Sequence, residues 1–170
     1  MVLKKGTNLH INYNLIMEKI SDIEKAKALL DGLASMEKEV FLNDQIVVSG
    51  AKYQLILAIE AAQNICNHLA ARVAKEPPRS YSDCFRILED NGIISKGLAL
   101  KLASMAKFRN LLVHQYGKVD DPTVYNILNR DVGDIICYVD EIRLFLKSTE
   151  EEKSNVQRKT PPDGSGEKEG

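Results

Sequence analysis

Leu98-Ala99-Leu100-Lys101-Leu102-Ala103-Ser104-Met105-Ala106-Lys107-Phe108-Arg109-Asn110-Leu111-Leu112-Val113-His114-Gln115-Tyr116-Gly117 reads as one amphipathic helix. Its stripe runs Leu98, Leu102, Met105, Arg109, Leu112, Tyr116, at spacings of four, three, four, three and four. That is helical periodicity, and it places Arg109 where the pattern asks for an apolar residue. Arg109 and Tyr116 are seven apart, so a helix of 3.6 residues per turn projects them within about 20° of each other. A guanidinium keeps its charge, so in an apolar stripe it needs a partner or a wet cleft. Such a conflict between pattern and residue type marks a candidate functional position.

Working outward, the same periodicity recurs and no strand pattern does. A first helix is expected over 14–34, with Ile16, Ile20, Ile23, Leu30 and Leu33 on one face. A turn of helix is expected around Phe41 and Leu42, within 36–43. A long second helix is expected over 44–74, with Leu55, Ala58, Ile59, Ala62, Ile65, Cys66 and Leu69 inward, ended by Pro77-Pro78. A short third helix spans 82–90 and stops at Asn91-Gly92. Ser95 is placed to cap the fourth, which runs through the opening stretch to Gly117. Asp121-Pro122 starts the fifth, a single helix to about residue 147. The expected fold is an all-α up-down bundle of four or five helices. Residues 1–147 form the domain and 148–170 a disordered, charged tail, which carries almost no apolar side chains.

Composition narrows the classes. A net charge of −1 excludes a broadly basic nucleic-acid binder but leaves room for a local basic cleft. No long uncharged apolar run is present, so no membrane span is expected. The N-terminus is too polar to read as a secretory signal, and a cytoplasmic location is expected. Cys66, Cys84 and Cys137 share no CxxC spacing and are expected as reduced thiols. His10, His68 and His114 are scattered, so no metal site is expected, and no P-loop, GxSxG or GxGxxG motif occurs.

The chemistry-bearing residues cluster at the end of the fourth helix. A histidine such as His114 can move protons as a general acid or base. Arg109 offers a planar fork that matches a phosphate. Asn110, four before His114, shares its face. A histidine that takes a 2′-OH proton and an arginine that holds the phosphate suffice for metal-independent RNA cleavage. Arg109 and His114 are five apart, however, and diverge by about 140° on a regular helix. Either the helix end is distorted near Gly117, or two copies of the helix face each other and share one cleft. Each residue also has a plain structural reading: His114 at a helix C-terminus favours the dipole, and Tyr116 can be a core-edge residue with a wet hydroxyl. Glu60, Asn64, Asn67 and His68 form a polar row on the second helix, read as a solvated or interhelical face or as part of a site.

The segments Phe108-Arg109-Asn110-Leu111-Leu112-Val113-His114, Pro78-Arg79-Ser80-Tyr81-Ser82-Asp83-Cys84-Phe85 and Gly92-Ile93-Ile94, in their sequence positions, resemble the HepT-like branch of the HEPN superfamily. The Arg-x4-His-x-Tyr motif is matched by Arg109, His114 and Tyr116, and the resemblance spans roughly residues 12–146. It implies an all-α homodimeric toxin of a toxin–antitoxin module, a ribonuclease acting on tRNA or mRNA. Arg109 would hold the scissile phosphate, His114 would be the acid/base and Asn110 would support them. It also implies a partner antitoxin, a minimal nucleotidyltransferase of the MntA type, that transfers AMP from ATP to Tyr116. No other cofactor is implied. The alternative is a non-catalytic nucleotide-binding or docking subunit of such a transferase.

Overall fold

The Asn12 side chain accepts the backbone N–H of Leu15 at 3.1 Å and so starts the first helix, α1 (Tyr13–Ala34). That satisfies one of the donors a helix N-terminus leaves open. Asp44 does the same for α3 (Gln45–Leu69), accepting from Ile46 and Val47, while the short α2 (Lys38–Asn43) precedes it. The computed structural model describes residues 11–75 and 77–159, without the side chains of Tyr116, Lys153 and residues 156–159. α3 loosens into a π-helical turn, Ala70–Ala74, and ends at Lys75, whose φ of 55° lies in the left-handed region. Ser80 caps α4 (Tyr81–Asp90) by accepting from Asp83, and Gly92, at φ 69°, reverses the chain after it.

The fourth expected helix is α5 (Lys96–His114), and it ends earlier than the stripe suggests. Gln115 leaves helical geometry at φ −137° and ψ 41°, and Tyr116–Lys118 form a 3-10 turn. Tyr116 therefore does not continue the α5 face, and the 20° projection from Arg109 does not hold. Ser95 precedes α5 but does not cap it through its side chain. Its hydroxyl donates to Glu141 Oε1 at 2.8 Å and its N–H to Oε2 at 2.6 Å, tying the start of α5 to the last helix.

The single fifth helix expected over 121–147 is two. Asp120, one residue before the expected cap, accepts from Thr123 and starts α6 (Asp121–Arg130). A turn at Asp131–Val132 then leads to α7 (Gly133–Lys159). The break coincides with a change of packing partner. Val124, Leu128 and Val132 join Leu30, Phe41, Val48, Ala51, Leu55 and Leu112 in one apolar cluster. Ile135, Tyr138, Val139 and Ile142 join a second with Ile16, Ile20, Ile65, Leu69, Phe85 and Leu102. α7 continues past the expected boundary at 147, so residues 148–159 are helical; residues 160–170 of the expected tail lie outside the described residues.

The result is the all-α bundle that the periodicity predicts, with no strand among the described residues. α1 packs along α3, α4 along α5, and α7 closes the larger cluster. Tyr138 is fully buried at its centre, its ring edge-on to Phe85 at 5.8 Å and its hydroxyl donating to the Ala62 carbonyl at 3.2 Å. Burial pushes that phenol well above its usual range. No described helix is long and apolar enough to cross a membrane.

Candidate active site

Arg109 sits on the inward side of α5, and α3 supplies the countercharge its position demands. Its Nη2 donates to Glu60 Oε1, forming an ion pair in which the arginine side chain is 14% exposed and the glutamate 39%. Nη1 donates to Asn110 Oδ1 at 3.3 Å, and the guanidinium carbon lies 5.8 Å from the centre of the Tyr81 ring on α4. The Nε–H is buried and has no hydrogen-bond partner among the described residues. Three helices thus hold one cation, by a carboxylate, an amide and an aromatic face.

Glu60 was one of four in a polar row whose role the sequence left open. The structure divides that row. Glu60 pairs with Arg109, Asn67 lines a cleft beside it, and Asn64 faces solvent. His68 turns toward the N-terminus of α1, where its Nε2 accepts the Asn12 N–H at 2.9 Å. The signal for Glu60 was its helical spacing with the others; what sequence could not show is that α3 faces α5 there.

Removing the Glu60 carboxylate leaves a partly buried cation with weaker partners. Glu60→Ala is expected to lower stability by about 1–2 kcal/mol, the low end for a broken pair because water reaches the glutamate. Urea denaturation checks this, and added phosphate is expected to restore more stability to the variant than to the wild type. Equal phosphate effects in both would mean that the anion does not reach Arg109.

His114 is the last residue of α5 and is exposed. Because α5 stays regular to that point, the divergence of Arg109 and His114 stands. Among the described residues, no hydrogen bond or ion pair joins them. Asn110 turns to Arg109 rather than to His114. The chain by itself therefore brings Arg109 and Asn110 together and leaves His114 apart. Distortion begins only at Gln115, too late to refocus the histidine. Lys52 of α3 steadies the segment that follows: 5% exposed, it pairs with Asp121 at 2.9 Å and donates to the Val119 carbonyl at 3.3 Å.

The cleft next to Arg109 measures about 370 Å³ and is walled by α3, α4, the loop before α4, and α5. Cys66 and Cys84, expected as free thiols, form a disulfide joining α3 to α4, with Cα atoms 6.0 Å apart. No CxxC spacing announces it, because the pairing arises from packing of two helices, 18 residues apart in sequence. It lies directly behind Asn67 and one turn after Tyr81. Cys137 is free and exposed. Among the described residues, no group of three or more His, Cys, Asp or Glu is placed to hold a metal ion.

Burial, then the nearby Arg72 charge, holds the His68 imidazole below its usual value of 6.5. The unfolded chain takes up this proton near pH 6.5 while the folded chain resists it, so stability falls as pH drops below that value. The urea midpoint is expected to be lower at pH 5 than at pH 7.5, with the gap narrowed in His68→Gln. An unchanged gap in the variant would assign the acid sensitivity to other groups.

Comparison with known proteins adds a family to this fold. Residues 12–142 match the family model described as "Ribonuclease HepT-like". A putative RNase of Archaeoglobus fulgidus is 27% identical over 128 residues, covering 75% of this chain and 95% of that protein. The mRNA nuclease HepT of Shewanella oneidensis is 26% identical over 134 residues, covering 76% of this chain and 97% of that one. A solved structure of a tri-AMPylated Shewanella oneidensis HEPN toxin in complex with an MNT antitoxin superposes with a TM-score of 0.72 at 24% identity. That superposition covers 77% of this chain and 98% of the other, and it shows the same fold.

Proposed function

The chain belongs to the HepT-like ribonuclease family, and from that premise we propose that it is the toxin of a two-component module, a metal-independent endoribonuclease acting on tRNA or mRNA. The observation that carries the reading is Arg109: a permanent cation built into the bundle, with one buried N–H left without a partner among the described residues, against Tyr81 and Asn110, which line a cleft. Arg109 binds the scissile phosphate and stabilises the charge that develops on it. His114 accepts the 2′-OH proton. The 2′-oxygen attacks phosphorus, and the 5′-oxygen leaves with the proton that His114 gives up, directly or through water, giving a 2′,3′-cyclic phosphate. Asn110 holds the guanidinium fork in place.

Within one protomer the two residues point apart, and this supports a homodimer in which α5 of each copy contributes to a shared cleft. The proposed antitoxin is a minimal nucleotidyltransferase of the MntA type. Tyr116 attacks the α-phosphorus of ATP, pyrophosphate leaves, and AMP remains on the phenolic oxygen. The tri-AMPylated state of the Shewanella oneidensis toxin supports this modification. No resident cofactor takes part in this scheme.

The test is cleavage of purified tRNA and mRNA by the unmodified protein, with and without a metal chelator. Cleavage that persists in chelator supports the reading. An unmodified dimer that binds the transferase or a nucleotide but leaves all RNA intact would establish the docking subunit instead.

A further inference from the structure

The cleft beside Arg109 has a composition that the phosphate chemistry does not use. Tyr81 stands at its edge, 38% exposed, with Arg109 against its ring. Asn67 from α3 and Asn110 from α5 bring amides to the same space, and Arg79 stands at its rim. Among the described residues the Asn67 amide and the Asn110 NH2 make no hydrogen bond, and the Arg79 guanidinium, whose charge acts on Asp83, makes no ion pair within 4 Å. By contrast, Ser80 is spent on capping α4 and Ser82 on the Ala103 carbonyl. Amide NH2 groups beside a half-exposed aromatic ring are elements with which proteins hold an unpaired base: the ring stacks on it and the amides donate to its edge. A volume of about 370 Å³ falls at the small end of ligand sites, suited to one nucleotide.

We propose that this cleft binds one unpaired nucleobase of an RNA strand, stacked on Tyr81 and hydrogen-bonded by Asn67 and Asn110, next to the phosphate held by Arg109. Arg79 meets the phosphate on the far side of that nucleotide. The proposal rests on the ribonuclease reading of Arg109 and extends it. Because the base must be splayed from its neighbours, single-stranded segments are the substrate class and duplexes are not. The Cys66–Cys84 disulfide sets the spacing of the two walls that carry Asn67 and Tyr81.

The experiment is a titration of the unmodified full-length protein into a short, uncleavable 2′-O-methyl oligoribonucleotide carrying 2-aminopurine, whose fluorescence falls on stacking. A saturable loss of fluorescence is expected with the wild type and with Tyr81→Phe. Tyr81→Leu is expected to bind about tenfold more weakly or worse and to leave the fluorescence high. Asn67→Ala, whose ring platform is intact, is expected to weaken binding while retaining the quench. Tyr81 is the first residue of α4 and partly exposed, so circular dichroism is expected to show the same helix content in every variant. An equal quench in Tyr81→Leu and wild type, or none in wild type, overturns the base site. RNA cleavage assayed in parallel separates the two ideas. A cleaving wild type without a quench removes the base site and keeps the nuclease. A Tyr81-dependent quench without cleavage keeps the base site and removes the nuclease.

Discussion

Arg109→Ala and His114→Ala are each expected to reduce RNA cleavage by about 10²–10⁴-fold, the range for losing one charge-stabilising group or one general acid/base. Neither is expected to unfold the chain. His114 is exposed at a helix end, so its removal leaves no cavity. Arg109 leaves behind Glu60, which water reaches, rather than a sealed charge. Arg109→Lys is expected to recover little activity, because an ammonium cannot hold Glu60 and Asn110 while presenting a planar fork to a phosphate. The informative measurement uses mixtures. If each active cleft takes its arginine from one protomer and its histidine from the other, a dimer of one Arg109→Ala and one His114→Ala chain contains one intact site. Such purified heterodimers then show about half of the wild-type activity, although both parental homodimers are dead. Heterodimers as inactive as their parents would place both residues of a site in the same chain. In that case α5 must rearrange, since its regular geometry keeps the two residues apart.

The sequence carried the helices well because their apolar periodicity is long and their ends are chemically marked. Gly92 takes the positive φ that a helix stop beside Asn91 calls for, but the caps read from the sequence, Ser95 and Asp121, do not cap through their side chains, and Asn12, Asp44, Ser80 and Asp120 cap the helices instead. It failed where periodicity continues through a break. Residues 121–147 keep helical spacing across Asp131–Val132, where the chain turns and passes from one apolar cluster to the other. The same failure shortened the site helix. The stripe reaches Tyr116 in sequence, but the backbone departs at Gln115. Arg109 was legible as a conflict, a charge where the pattern wanted an apolar side chain. Its partners were not, because Glu60 and Tyr81 lie on other helices and are joined to it only by packing. The Cys66–Cys84 pairing was hidden for the same reason.

Adenylation of Tyr116 is expected to abolish cleavage, and the break after His114 gives the modification its physical setting. Tyr116 lies in a 3-10 turn rather than on the packed face of α5, so the backbone there is not committed to the helical ladder that fixes Arg109. That turn is followed closely by Val119 and Asp121, both anchored by Lys52, which keeps the segment at the end of the site helix. Each AMP would add a phosphodiester anion and a purine beyond the end of the site helix. The anion is expected to compete with RNA for the Arg109 guanidinium. Intact mass of the protein produced with a cognate nucleotidyltransferase and ATP is expected to rise by whole AMP increments. The modified dimer is expected to have no measurable tRNA or mRNA cleavage. Tyr116→Phe separates the modification from any role of the hydroxyl in catalysis. The variant keeps the ring, cannot accept AMP, and is expected to cleave RNA at near the wild-type rate whether or not the transferase is present. Full cleavage by the adenylated wild type would mean that the attached nucleotide neither reaches Arg109 nor blocks its cleft. A dead but unmodified Tyr116→Phe would assign the phenolic hydroxyl to the reaction itself.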